Sequence, residues 1–388
     1  MYSQNVITFV DVCLAVTSHL GANPIRYSHR TNLFYTSKYA RVLSKVSPIL
    51  IFANQVFALF RISHYFFVPL EHSDVYLVNI TYLMMIICII AVICFYLLLA
   101  DPPEFVHTLN QTLQYARYLE GRWVSKEKCE AHPSGEMLEW FLYVVAVIAG
   151  GSGFICSVLS YLIEPNPGLW ITLISKKHWT PLLYWTYLSY YAYLMVAAGL
   201  CIGVAVGLTT AYLAFMIPLH STEFNLNLPH GRDYITIESF RTITRFPLAY
   251  RSYEILHRRA VPVLSPALIP LQSLIYNFSL FCNWMLLTHR DAMGVLRLAM
   301  LSGEVCMITF WMGVLQIGGK FYADSLRNIE SWKKMHGANK FFRKWRKSIK
   351  PLCISHEGYY SIKRLKVLKF GKGIINGTFN TLITYNNL

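Results

Sequence analysis

Residues 181–219 read PLLYWTYLSYYAYLMVAAGLCIGVAVGLTTAYLAFMIPL, thirty-nine consecutive positions without a Lys, Arg, Asp or Glu. At 1.5 Å per residue such a helix is about 58 Å long, roughly twice the 30 Å hydrocarbon thickness of a bilayer. No polar turn divides the stretch, so it reads as one helix that crosses a membrane and protrudes from it into the cytosol. Gly199, Gly203 and Gly207 recur at every fourth position within it. Such small residues let helices approach closely, which predicts a packing role without chemistry.

Outward from this helix, further apolar runs occupy 46–70, 75–100, 140–163, 264–287 and 295–317. A seventh, 367–388, is weaker because it holds Lys369, Lys372 and four asparagines. The composition agrees: 55% of residues are hydrophobic and 14% charged, against about 45–50% and 25% in soluble domains. The expected fold is all-α, a polytopic membrane protein of seven transmembrane helices forming one domain over 1–388. Residues 319–366 are expected to be a cytosolic basic loop.

The formal charge of +15 is explained by where the basic residues lie. The segment before the first run and those after the second, fourth and sixth hold 28 of the 35 Lys and Arg, whereas the three alternate loops hold 3. Basic residues collect on the cytosolic side. The N-terminus is therefore expected in the cytosol and the C-terminus outside, and no nucleic-acid partner is needed to account for the charge. This orientation is the reverse of a G-protein-coupled receptor. The chain also lacks Asp-Arg-Tyr after its third run and Asn-Pro-x-x-Tyr at its end, so that class is excluded.

The remaining motifs carry little chemistry. The nine cysteines contain no CxxC pair and mostly lie inside apolar runs, so neither a disulfide framework nor a metal is expected. Residues 1–21 have no basic leader and carry Asp11, which favours a short cytosolic amphipathic helix over a cleaved signal. The sequons at Asn79, Asn110, Asn277 and Asn376 fall within spans or a cytosolic loop and read as chance matches. No HExxH, Walker or GxSxG sequence occurs. No cofactor and no enzymatic activity are expected. A secondary transporter is the alternative class, but the seven spans show no paired halves.

Glu304, Arg297 and Arg61 fall within spans. Ionisable groups at that depth are either paired structurally or functional. The seventh run carries Asn376, Thr378, Asn380, Thr381, Thr384, Asn386 and Asn387, which do not suit lipid and fit a helix that lines water or meets other helices. Thr378 and Leu382 share a face, as do Leu382 and Tyr385. In the fourth span Tyr184, Tyr187 and Tyr191 form a single stripe, either a pocket wall or an interfacial aromatic belt. The run 340–350 sets Phe342, Trp345 and Ile349 at helical spacing against six basic residues, which suits an anionic inner leaflet or a calmodulin-like partner.

The C-terminal third carries a resemblance. Ser325-Leu326, Ser331-Trp332, the basic Phe341-Phe342-Arg343-Lys344-Trp345-Arg346-Lys347, Lys350-Pro351-Leu352 and the closing Thr378-Phe379-Asn380-Thr381-Leu382-Ile383-Thr384-Tyr385 resemble the arthropod chemoreceptor superfamily of gustatory and odorant receptors. Tyr250-Arg251-Ser252 to Asn283-Trp284 is similar to gustatory-receptor-like proteins of basal hexapods. The gustatory signature has Thr-Tyr, five apolar residues and Gln-Phe. Here Phe379, Tyr385 and Asn386 replace Tyr, Gln and Phe, and Asn380, Thr381 and Thr384 make the middle polar.

The resemblance implies a tetrameric ligand-gated cation channel in the cell membrane, homomeric or paired with a co-receptor, opened by a small-molecule tastant or odorant. It implies that 367–388 is the pore helix, with Leu382 at the hydrophobic gate, Tyr385 just outside it, and Thr378 and Thr381 lining the path. It implies an inter-subunit anchor that includes 319–366. It also implies a ligand pocket in the outer halves of helices two to six. The candidates there are Tyr76, Tyr82, Phe154, Ser157, Tyr161, Tyr184, Tyr187, Tyr191, Asn283, Met285, Leu298 and Glu304.

Overall fold

The structure, a computed structural model, describes residues 4–63, 72–124, 140, 142–147, 150–151, 169–228, 233–288, 296–335, 337–356 and 360–386. Helix α1 (Gln4–His19) ends where Gly21 takes φ +70°. There Ala22 N–H donates to the Thr17 carbonyl at 2.8 Å and Gly21 N–H to that of Ser18 at 3.3 Å, the bonding of a Schellman stop. A Cβ on Gly21 would lie 2.8 Å from Ser47 Oγ, so glycine both stops α1 and lets the next helix approach. Strands β1 (Ile25–Ser28) and β2 (Leu33–Thr36) then pair antiparallel around a turn in which Asn32 has φ 54°.

Helix α2 (Lys38–Ser63) and helix α3 (His72–Leu99) form an antiparallel pair that packs on α5 (Pro181–Pro218). Between them in sequence, α4 (Pro102–Trp123) is capped by Asp101, which accepts Glu104 N–H at 3.1 Å ahead of Pro102 and Pro103. Asn110 of α4 holds the hairpin. Its Oδ1 accepts Phe34 N–H at 2.7 Å and its Nδ2 donates to the Phe34 carbonyl at 2.9 Å. The Asn110 side chain is thus engaged within the fold, which agrees with reading its sequon as a chance match.

The expected fourth span is a single helix from Pro181 to Pro218, opened by Thr180 accepting Leu183 N–H at 3.2 Å and closed by a wide turn, Leu219–Glu223. The fifth span is α7 (Leu268–Thr288), preceded across the short turn Ser265–Ala267 by α6 (Arg245–Leu264). The expected third span lies largely outside the described residues.

Among the described residues, five helical stretches are long and apolar enough to cross a membrane: Lys38–Ser63, Thr81–Leu99, Pro181–Glu223, Arg245–Thr288 and Met300–Lys334. Their outer faces fit that solvent. On α2, Ile49, Phe52, Val56, Leu59 and Phe60 are exposed along one helical stripe, far more contiguous apolar surface than water tolerates. The molecule is a polytopic helical membrane protein.

One boundary differs from the sequence reading. The sixth span was expected to end at 317 and give way to a basic loop over 319–366. Instead α8 (Leu296–Ser331) continues unbroken for 36 residues. A short turn (Trp332–Lys334), helix α9 (Lys340–Ser348) and hairpin β3–β4 (Ser355–His356 with Tyr360–Ser361) follow. The reason is burial: Trp332, Phe342 and Leu352 are almost wholly enclosed, and their basic neighbours merely coat the outside.

Two clusters of buried side chains dominate the described residues. In the bundle, Phe95 and Ala91 of α3 pack with Leu194, Ala198 and Cys201 of α5. Beyond the apolar spans, Phe224, Phe246, Tyr250, Tyr253, Trp332 and Phe342 make a second, aromatic core. The final helix, α10 (Lys366–Asn386), packs on α7 and α8.

Candidate functional site

Helix α10 is fixed by three contacts with α7. Tyr276 donates its hydroxyl to the Gly373 carbonyl at 3.2 Å. One turn on, a Cβ at Gly377 would sit 2.5 Å from Tyr276 Oη and 2.8 Å from a methyl of Leu280, so the helices meet at bare backbone. Asn283 Nδ2 donates to Thr378 Oγ1 at 2.9 Å. A residue expected in the ligand pocket and one expected in the pore are therefore bonded to each other, and Thr378 faces α7.

The opposite face of α10 is uncovered in the single chain. Asn376, Asn380 and Thr384 recur at every fourth position and are exposed, and Thr384 Oγ1 is turned back to the Asn380 carbonyl at 2.9 Å. Beside this polar line runs an apolar one, Ile375, Phe379 and Ile383, each about 60% exposed. Leu382 and Thr381 lie between the covered and open sides, and Thr381 Oγ1 donates to the Gly377 carbonyl at 2.9 Å. Tyr385 continues the helix, but its side chain lies outside the described residues, as do the side chain of Tyr76 and the whole of Phe154, Ser157 and Tyr161.

The other pocket candidates fall into two groups. Tyr191 is buried in the bundle core, with Tyr184 and Tyr187 packed against it. The Tyr187 and Tyr191 rings stack at 6.3 Å, and the Tyr184 ring stacks on Trp179 at 6.0 Å. Tyr187 Oη is buried and has no hydrogen-bond partner among the described residues. Tyr82 belongs to a separate cluster with Met285, Phe278 and Cys282, its ring 3.8 Å from that of Phe281. Glu304 is buried on α8, whereas Leu298, 64% exposed, points away from the bundle.

The aromatic core gives several residues of the C-terminal signature definite tasks. Trp332 Nε1–H donates to the Phe224 carbonyl at 2.8 Å. Ser331 Oγ accepts Leu226 N–H at 3.1 Å, and Ser325 Oγ accepts Leu352 N–H at 2.7 Å. The apolar face of α9 is spent internally, with Phe342 buried and Trp345 stacked on Trp332 at 5.2 Å. Phe342 and Trp345 are thereby occupied within the chain itself. Nothing in the sequence spacing announced that Ser331 and Ser325 tie backbone groups far apart in the chain.

No protein-family model matches the sequence, and no curated relative matches it either. Solved structures do. The insect olfactory receptor OR5 from Machilis hrabei superposes with a TM-score of 0.66 at 12% identity, covering 98% of each chain. The same receptor in complex with eugenol gives 0.68 at 11% identity, covering 98% of this chain and 99% of that one. The chain has the insect olfactory receptor fold. Because the likeness spans nearly the whole length of both chains, the olfactory-receptor fold takes in the α1 helix and its hairpin, the aromatic core and α10 together. At such identity it is a likeness of backbone, and the side chains described above are this chain's own.

Proposed function

We propose that this protein is a chemosensory receptor of the arthropod superfamily and is itself a ligand-gated cation channel of the cell membrane. The observation that carries the reading is the open face of α10. A helix turned wholly to lipid does not present Asn376, Asn380 and Thr384 in a line. A helix lining water beside neighbouring copies would do so, with the adjacent Ile375–Phe379–Ile383 line meeting the next subunit. In a tetramer of identical chains, or of this chain with a co-receptor, four such helices would surround one axis. Leu382 would form the apolar ring that closes the path by dewetting, with Thr381 and Tyr385 beside it, while Thr378, held by Asn283, would tie the helix to α7 rather than line the path.

The charge asymmetry supports a cytosolic N-terminus and an external C-terminus. The ligand would then enter among the outer halves of the helices. There the stacked tyrosines of α5 and the unpartnered Tyr187 hydroxyl suit a small, mostly apolar organic molecule with one or two polar groups. Eugenol, the ligand named for the Machilis hrabei receptor, is of that kind. Binding would favour the open state by tighter affinity for it. Whether the stimulus is a tastant or an odorant depends on where the protein is made.

The test is current recording from cells expressing the chain alone and with a co-receptor. Leu382→Ala is expected to raise ligand-free leak current and alter permeation. Unchanged leak, gating and permeation would refute the pore role of α10.

A further inference from the structure

A cavity of about 310 Å3 lies between α1, α4, α5 and the helical residues 142–147. It is remote from the tyrosine stripe. Tyr191 precedes Gly203, on the cavity wall, by 12 positions, about 18 Å along α5. Gly203 and Gly207 line its wall, and a Cβ at Gly207 would meet Leu142 Cδ2 at an ordinary 3.6 Å.

Among the described residues the wall offers water little to bond. Thr17 Oγ1 donates to the Cys13 carbonyl and Thr112 Oγ1 to that of Thr108. The Tyr212 hydroxyl is engaged by His257 and that of Tyr27 by Asn32. Cavities with an apolar wall stay dry and take apolar occupants.

The rim identifies the occupant. Val12 and Val16 of α1 line the cavity and are about half exposed. Val147, adjoining the lining residues Val145 and Ala146 in sequence, is 73% exposed. Helix α1 is apolar but too short to cross a bilayer. An apolar mouth edged by exposed valines, beside a short apolar helix, fits an apolar chain entering from the bilayer.

We propose that this cavity is a lipid site that holds one acyl chain of a bilayer phospholipid between α1 and α5. The proposal goes beyond the receptor reading and does not depend on it.

The full-length protein is reconstituted in phosphatidylcholine vesicles doped with a phosphatidylcholine bearing a diazirine near the end of one acyl chain, irradiated and digested. Adducts are expected on 6–17 and 200–212 as well as on the lipid-facing 49–60 of α2. Gly207→Leu, which fills the space, is expected to lower the first two several-fold and leave the α2 adducts unchanged. Should that variant fail to fold, Gly207→Ala, with its ordinary contact to Leu142, is read instead for a smaller loss at the same peptides. Cavity adducts that persist at full level in a folded, filled variant would mean annular lipid only and overturn the proposal. So would their absence in the parent protein, or labelling by the corresponding free fatty acid that phosphatidylcholine does not displace.

Discussion

Tyr187 puts the chemistry of the proposed pocket at a single atom. A buried hydroxyl without a partner costs about 1–3 kcal/mol, and among the described residues Tyr187 Oη is such a group. Tyr187→Phe is therefore expected to raise the melting temperature of the ligand-free protein. It should also weaken the response to phenolic ligands more than to hydrocarbon ones, as read from dose–response curves. A fall in both stability and all responses would make Tyr187 a packing residue. Gly377 makes the complementary case. Gly377→Val must displace Tyr276 and Leu280, an overpacking that costs about 1–3 kcal/mol. Reduced thermal stability of the purified protein, partly restored by adding Tyr276→Phe, is the expected result. Neither residue's situation was legible beforehand. The tyrosine stripe could be read from its spacing, but an unpartnered oxygen depends on what surrounds it. The Asn283–Thr378 bond joins residues 95 positions apart, beyond the reach of any local pattern.

At the scale of elements, continuity and polarity behaved differently as signals. The uncharged stretch of α5 predicted its helix to within a residue, because nothing in it offers a turn. The basic segment after 317 misled, because arginines and lysines on the surface of a packed helix look the same in sequence as those on a loop. The hairpin β1–β2 was missed as well. Its alternation, Ile25 and Tyr27 inward, is only four residues long. Helix α6 carries a further prediction. Its arginines and the Glu254 ion pairs with Arg251 and Arg258 set it outside the bilayer. Its His257 accepts from Tyr212 at Nδ1 (3.0 Å) and donates from Nε2 to the Cys353 carbonyl (3.2 Å), the bonding of a neutral ring. Burial, with a smaller push from Arg258, lowers its pKa from the ordinary 6.5 to about 4. The unfolded chain takes up a proton at His257 at a higher pH than the folded one. Its contribution to stability is thus complete above pH 6.5 and lost as pH falls toward 4. Melting curves between pH 7.5 and 4.5 should decline accordingly, and His257→Gln should flatten that decline. A parallel decline in both proteins would remove His257 as the cause.

For the whole molecule, the distribution of charge carried more than any motif. Twenty-eight basic residues on one set of alternate segments and three on the other imply a direction of crossing for every span. Tags at either end, probed with impermeant antibodies on intact cells, are expected to reveal the C-terminus and hide the N-terminus; the opposite staining would reverse the proposed direction of ligand entry. The overall architecture was legible because a bilayer imposes a length and a composition on each crossing. The cavity beneath α1 was not, since it arises where four separate segments fail to meet.

Helix α8 runs 36 residues without a break, about 54 Å. Its last turn is held where Trp332 and Ser331 bind backbone groups near the end of α5. Mechanically it is a lever held in the aromatic core. A tilt of about 3° there would move its far end by roughly 3 Å over that length. Met300 and Trp311, both buried where α8 meets α7 and α10, would carry those helices with it.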